Sequence, residues 1–165
     1  MTYRPERPDP QKSLVGFVVG DVSYAVPIDH VREIVNPLPI TELPHAPPTI
    51  AGVSDHRGEI VPVVELRARF GLPPLPDPRR AKWILIDVTG RGVALAVDRV
   101  TEVFGTAGAD LKSAPSLGSG DDLRGIAGVV SRAEGLTFIL DVGEFDILTS
   151  PIAAERLLST SEARR

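Results

Sequence analysis

The sequence predicts an all-β chain built from two small barrels of about five short strands each, packed together. Three observations predict it. Gly and Pro are abundant, 15 and 16 of 165 residues, against about 12% combined in average proteins, which leaves little room for long helices and suits short strands joined by turns. Short β-branched runs recur between turn signals. The pattern also occurs twice: Ile50-Ala51-Gly52-Val53 returns as Ile126-Ala127-Gly128-Val129, and Asp29-His30-Val31-Arg32-Glu33-Ile34-Val35 is echoed by Asp98-Arg99-Val100-Thr101-Glu102-Val103-Phe104. Two such units, packed together, would cover most of each other's open edges.

Residues 1–12 are polar and proline-rich and are expected to be a disordered arm. Leu14 to Val19, the Gly20-Asp21 turn and Val22 to Val26 form a first hairpin, Pro27 to His30 one helical turn, and Val31 to Val35 a strand. Glu33 shares a strand face with Val31 and Val35, an oddity on a half-buried strand. Five prolines between Asn36 and Thr49 make that stretch an extended loop or edge segment. Ile50–Val53 and Ile60–Val64 form a second hairpin with Arg57 at its tip and Gly58 placed for φ > 0. Leu66 to Phe70 reads as a short helix closed by Gly71, and the four prolines of Leu72–Pro78 as a hinge. The second unit follows: a hairpin over Trp83–Val97, the echo strand, a mobile Gly/Ser/Asp-rich loop over Ala107–Arg124, a last hairpin whose turn, Ser131 to Gly135, is the longer of the two, and a closing helix over Val142–Leu148. The expected boundaries are a domain over 13–149, with a first barrel about 13–72 and a second about 79–149, and a tail over 150–165 with weak amphipathic helical character.

A net charge of −4 and a pI near 5.4 argue against nucleic acid as a partner and against cationic attachment to a membrane surface. The chain has no Cys, so thiolate catalysis and Cys-based zinc sites are excluded, and no run of 18 apolar residues is present for membrane insertion. A cytoplasmic protein is expected. His30, His45 and His56 are isolated, without H-x-x-x-H or H-E-x-x-H spacing, so no metal is expected, and no P-loop, G-x-S-x-G or G-x-G-x-x-G is present, so no cofactor is expected either. Asp55, His56 and Glu59 have the letters for acid/base work, but side chains at a tight turn diverge into water, which makes an enzyme a remote alternative. Arg57 is a different case, because an exposed arginine fork is a frequent interface hot spot.

Ile50 to Leu72, I-A-G-V-x-x-x-R-G-E-I-V-P-V-V-E-L-R-x-R-F-G-L, resembles the signature of the chemotaxis coupling proteins, the CheW family. The V-R-E-I piece before it and V-D-R-V-T-E-V after it extend the resemblance over about 13–149. It implies two SH3-like five-stranded barrels and an adaptor without catalysis, held at the inner face of the membrane by its partners. Those partners are the cytoplasmic tip of methyl-accepting chemoreceptors and a regulatory domain of the chemotaxis histidine kinase. The resemblance assigns receptor-facing roles to Val31, Glu33, Gly52, Arg57, Gly58, Val100 and Val103, and kinase contacts to no particular residue. The family usually has Asn-Leu before Arg-Gly; this chain has Asp55-His56, and Asp55 is expected to pair with Arg57 or to repel an acidic receptor tip. A coupling module of a non-chemotactic pathway, in surface motility, development or second-messenger control, is the alternative.

Overall fold

In a computed structural model, residues 13–106, 110–113 and 125–145 are described here. The arm (1–12), most of the expected mobile loop and the tail lie outside them. Among the described residues eleven strands run in the order β1 (Ser13–Val19), β2 (Val22–Pro27), β3 (Val31–Val35), β4 (Ile50–His56), β5 (Glu59–Glu65), β6 (Lys82–Val88), β7 (Arg91–Val97), β8 (Arg99–Gly105), β9 (Asp110–Ser113), β10 (Ile126–Arg132) and β11 (Gly135–Leu140). A one-turn α-helix, α1 (Leu66–Arg69), follows β5, and the turns Ile28–His30, Pro78–Arg80 and Val142–Glu144 are 3-10. The expected closing helix over Val142–Leu148 begins as a 3-10 turn, Val142–Glu144, that passes into helix at Phe145, and its remainder lies outside the described residues.

The strands make two sheets, one ordered β8-β1-β2-β11-β10-β9 and one β3-β6-β7-β5-β4. The all-β expectation of two β-units holds, and among the described residues one sheet has six strands and the other five. Sequential barrels over 13–72 and 79–149 do not describe the pairing. The first hairpin of each unit is inserted into the other unit's sheet: β1 pairs antiparallel with β8 and β2 parallel with β11, while β6 pairs antiparallel with β3 and β7 parallel with β5. The exchange is made across short connections: only Asp98 separates β7 from β8, and only Ile28–His30 separates β2 from β3. Both inserted hairpins are central, and β1 and β7 are apolar on both faces as a doubly covered strand requires.

The main core lies between the sheets, where Phe17, Val19, Val26 and Leu140 of one meet Ile84, Ile86, Leu95 and Val64 of the other. At the crossing from β7 to β8 the two halves are locked together. Arg67, in α1, donates Nε to Asp98 Oδ1 at 2.9 Å and Nη2 to Oδ2 at 3.1 Å, and the β1–β2 turn adds its Gly20 N–H to Oδ2 at 2.8 Å.

The Ala107–Arg124 loop is not all loop. Its residues 110–113 form β9, which pairs with β10 and places Leu111 against Leu14, Ala25 and Ile139. The proline-rich segment after β3 is an edge strap, as expected: Thr41 exchanges backbone bonds with Val53 at 2.8 and 2.9 Å, and Ser54 Oγ donates to Pro39 O.

Candidate partner-binding surface

The β4–β5 turn has Arg57 at φ 53° and Gly58 at φ 85°, a pair of left-handed residues that defines a type I′ hairpin. Asp55 makes this turn. Its Oδ1 accepts the Gly58 N–H at 2.9 Å, and Asp87 does the same for Gly90 in the β6–β7 turn. The expected Asp55–Arg57 pair is therefore absent; the carboxylate is spent on the turn backbone. Arg57 instead donates Nη2 to Glu33 Oε1 at 3.1 Å, while its side chain remains 76% exposed. His56 Nε2 stands 3.3 Å from the other oxygen of Glu33. Glu33 is thus an anchor for the hairpin tip, which accounts for an acid on an otherwise apolar strand face.

On the other side of β3, Arg32 spans three elements. It donates to Asp87 Oδ2 at 2.8 and 3.2 Å and to Glu59 Oε2 at 2.9 Å, and Glu59 Oε1 accepts the Gly92 N–H at 3.0 Å. The Gly92 N–H and then Arg32 hold the Glu59 carboxyl below its usual range; the Arg32 hydrogen bond, followed by the Gly90 N–H, does so for Asp87. Asp55, His56 and Glu59 consequently point to three different partners and form no acid/base constellation.

The second unit repeats this arrangement with a change. Both hairpin turns have two residues, Arg57-Gly58 and Ala133-Glu134, because the closing pairs are His56↔Glu59 and Arg132↔Gly135; the second turn is not the longer one. Arg132 is therefore the counterpart of His56. It pairs with Glu102, the counterpart of Glu33, and lies 3.7 Å over the Phe104 ring, so that it is only 22% exposed. The tip position held by Arg57 is an alanine there.

A model of the CheW-like domain matches residues 13–146. The chain belongs to the CheW-like family. It is 36% identical over 124 residues to the chemotaxis protein CheW of Rhizobium meliloti, covering 75% of this chain and 79% of that protein. It is 30% identical over 130 residues to that of Helicobacter pylori, covering 79% and 78%. Among solved structures it is similar to the scaffolding protein TtCheW from Thermoanaerobacter tengcongensis, with a TM-score of 0.71, 27% identity and coverage of 79% of this chain and 88% of that one.

Within this CheW-like domain the seven residues singled out from the sequence divide into three sets. Glu33, Arg57 and Gly58 sit together at the hairpin tip. Val31 and Val100 lie on the outermost strands β3 and β8, half-buried against the main core, and Val103, also on β8, is 56% exposed. Those two strands meet at one open pocket, lined by Ile34, Val35 and Asn36 from β3, Arg99 and Val100 from β8, and Arg80 and Lys82. Gly52 stands apart, buried at φ 150°; a Cβ there would come 2.3 Å from Thr41 O, so its part is to let the edge strap close over β4. The contact of His56 with Glu33 joins strands that no local sequence pattern connects. The echo of Glu33 in Glu102, with Arg132 facing it, was the available signal.

Proposed function

We propose that this chain is a non-catalytic adaptor that couples methyl-accepting chemoreceptors to a chemotaxis histidine kinase. The receptor tip docks along the outer strands β3 and β8 and against the Arg57 turn, and the kinase regulatory domain docks elsewhere on the two sheets. The observation that carries this reading is Arg57 itself: a guanidinium held out on a left-handed turn, anchored by one bond to Glu33 and otherwise open to water. Its planar fork keeps donors free for a partner carboxylate. The chain's similarity to chemotaxis proteins named CheW and to a scaffolding protein supports the coupling role. The dispersal of Asp55, His56 and Glu59 to separate partners supports a role without catalysis. Among the described residues no helix is long and apolar enough to cross a membrane, so membrane recruitment would come through the receptor.

Val31, Glu33, Arg57, Gly58, Val100 and Val103 form the receptor-facing set, with Gly52 acting through the backbone. The test is a pull-down from the native lysate with wild-type and Arg57→Ala protein. Recovery of a chemoreceptor and a large histidine kinase by the wild type, with the receptor lost in the variant, is the expected result. Recovery of neither from cells that express both would redirect the module to another pathway.

A further inference from the structure

The Glu33 carboxylate has two oxygens and two claimants. Arg57 Nη2 is at 3.1 Å from one and His56 Nε2 at 3.3 Å from the other. In the second unit the position of His56 is filled by Arg132, a permanent cation paired with the equivalent Glu102. The fold thus builds a cation–glutamate pair at this place twice, and in the first unit the cation is one that imidazole supplies only when protonated. The other charges around His56 are already committed. Asp55, its neighbour, accepts from Gly58 N–H; Glu59, opposite it on β5, holds Arg32 and Gly92 N–H; and Arg32 lies on the far face of β3, bonded to Asp87. With His56 neutral, the trio Glu33, His56 and Arg57 carries no net charge; with it protonated, the trio carries one positive charge.

We propose that His56 is a specificity-determining residue of the coupling surface: it holds the Glu33 oxygen that Arg57 leaves free, and in its charged form it shares the neutralisation of that carboxylate and so leaves the Arg57 guanidinium with more positive charge to offer a carboxylate on a partner helix. This rests on the receptor reading given above. It deepens that reading by making recognition of an acidic partner stronger when His56 is charged.

The experiment is a titration of a chemoreceptor cytoplasmic-tip fragment with wild type, His56→Leu and His56→Arg at about pH 6 and about pH 8. The wild type is expected to bind about five-fold more tightly at the lower pH, the effect of one unit charge near the contact in a wet environment. His56→Arg should hold the tighter affinity at both values and His56→Leu the weaker one. The same pH profile in the wild type and His56→Leu overturns the proposal. Absence of binding by all three proteins at both values overturns the receptor reading instead. The proposal is then decided without a partner, by following the Glu33 carboxyl carbon and Arg57 Nε signals by NMR as His56 titrates. Movement of both with protonation of His56 supports the coupling of the two pairs; signals that stay still contradict it.

Discussion

Arg57 is held at φ 53° by the type I′ turn, a left-handed position that costs a non-glycine residue about 1–2 kcal/mol. Selection for stability alone would place Asn or Gly there. Arg57→Asn is therefore expected to leave the melting temperature equal or slightly higher while weakening receptor binding by about 1–2 kcal/mol; equal affinity would remove Arg57 from the interface. Gly58, at φ 85°, has open space where a side chain would go, so Gly58→Val acts through backbone strain alone and should cost about 1–2 kcal/mol of stability. Gly52→Ala should cost more, about 2–4 kcal/mol, because its Cβ would push Thr41 and the edge strap off β4; thermal denaturation of the two variants side by side checks the order. The tip was legible in the sequence, since two β-branched runs around a charged turn ending in Gly specify a hairpin by local chemistry. The Glu33–His56 contact was not, because it depends on which strands become neighbours.

The Arg32 network binds β3 to the starts of β5 and β7, and it makes the stability of this sheet depend on pH. Asp87 and Glu59 have folded-state pKa values below their ordinary ones. Their contribution is fully present above the usual carboxylate range near pH 4 and is lost as pH falls through the folded values. Glu65 works in the opposite direction. Burial pushes its carboxyl up, so stability is lost as pH rises from the ordinary glutamate value through the raised one. Urea denaturation across this range should show Arg32→Met with a flatter acid limb than the wild type, and Glu65→Gln more stable than the wild type at neutral pH but equal to it in acid. A gain for Glu65→Gln that persists in acid would contradict the burial explanation. The strands themselves were readable from period-two and apolar runs. β9 escaped because four residues amid Gly, Ser and Asp give too short a pattern, and the single apolar residue that earns its place, Leu111, declares itself only against Leu14 and Ile139.

At the largest scale the described residues form one interlocked pair of sheets, because each unit lends its first hairpin to the other. The repeat announced two units, but strand exchange leaves no local trace, and so the boundary near 72–79 looked like a division between barrels. Fragments 13–76 and 77–149 are accordingly expected to be unfolded when expressed apart and to give dispersed NMR spectra only when mixed; a folded fragment alone would contradict the exchange. Asp98→Ala, which removes the acceptor shared by Arg67 and Gly20, should destabilise the protein by about 2–3 kcal/mol, since the pair is mostly but not fully buried. The exchange also leaves β3 and β8 as outer strands that both line one of the pockets, joining the two echoed segments into one surface. The measurement that tests this surface most directly is an NMR titration of the labelled protein with a chemoreceptor tip fragment. Shifts concentrated at Glu33, Arg57, Gly58, Val100 and Val103 are the predicted result, whereas shifts confined to the exposed Ile60 and Leu136 beside the hairpin turns, with β3 and β8 unmoved, would contradict it.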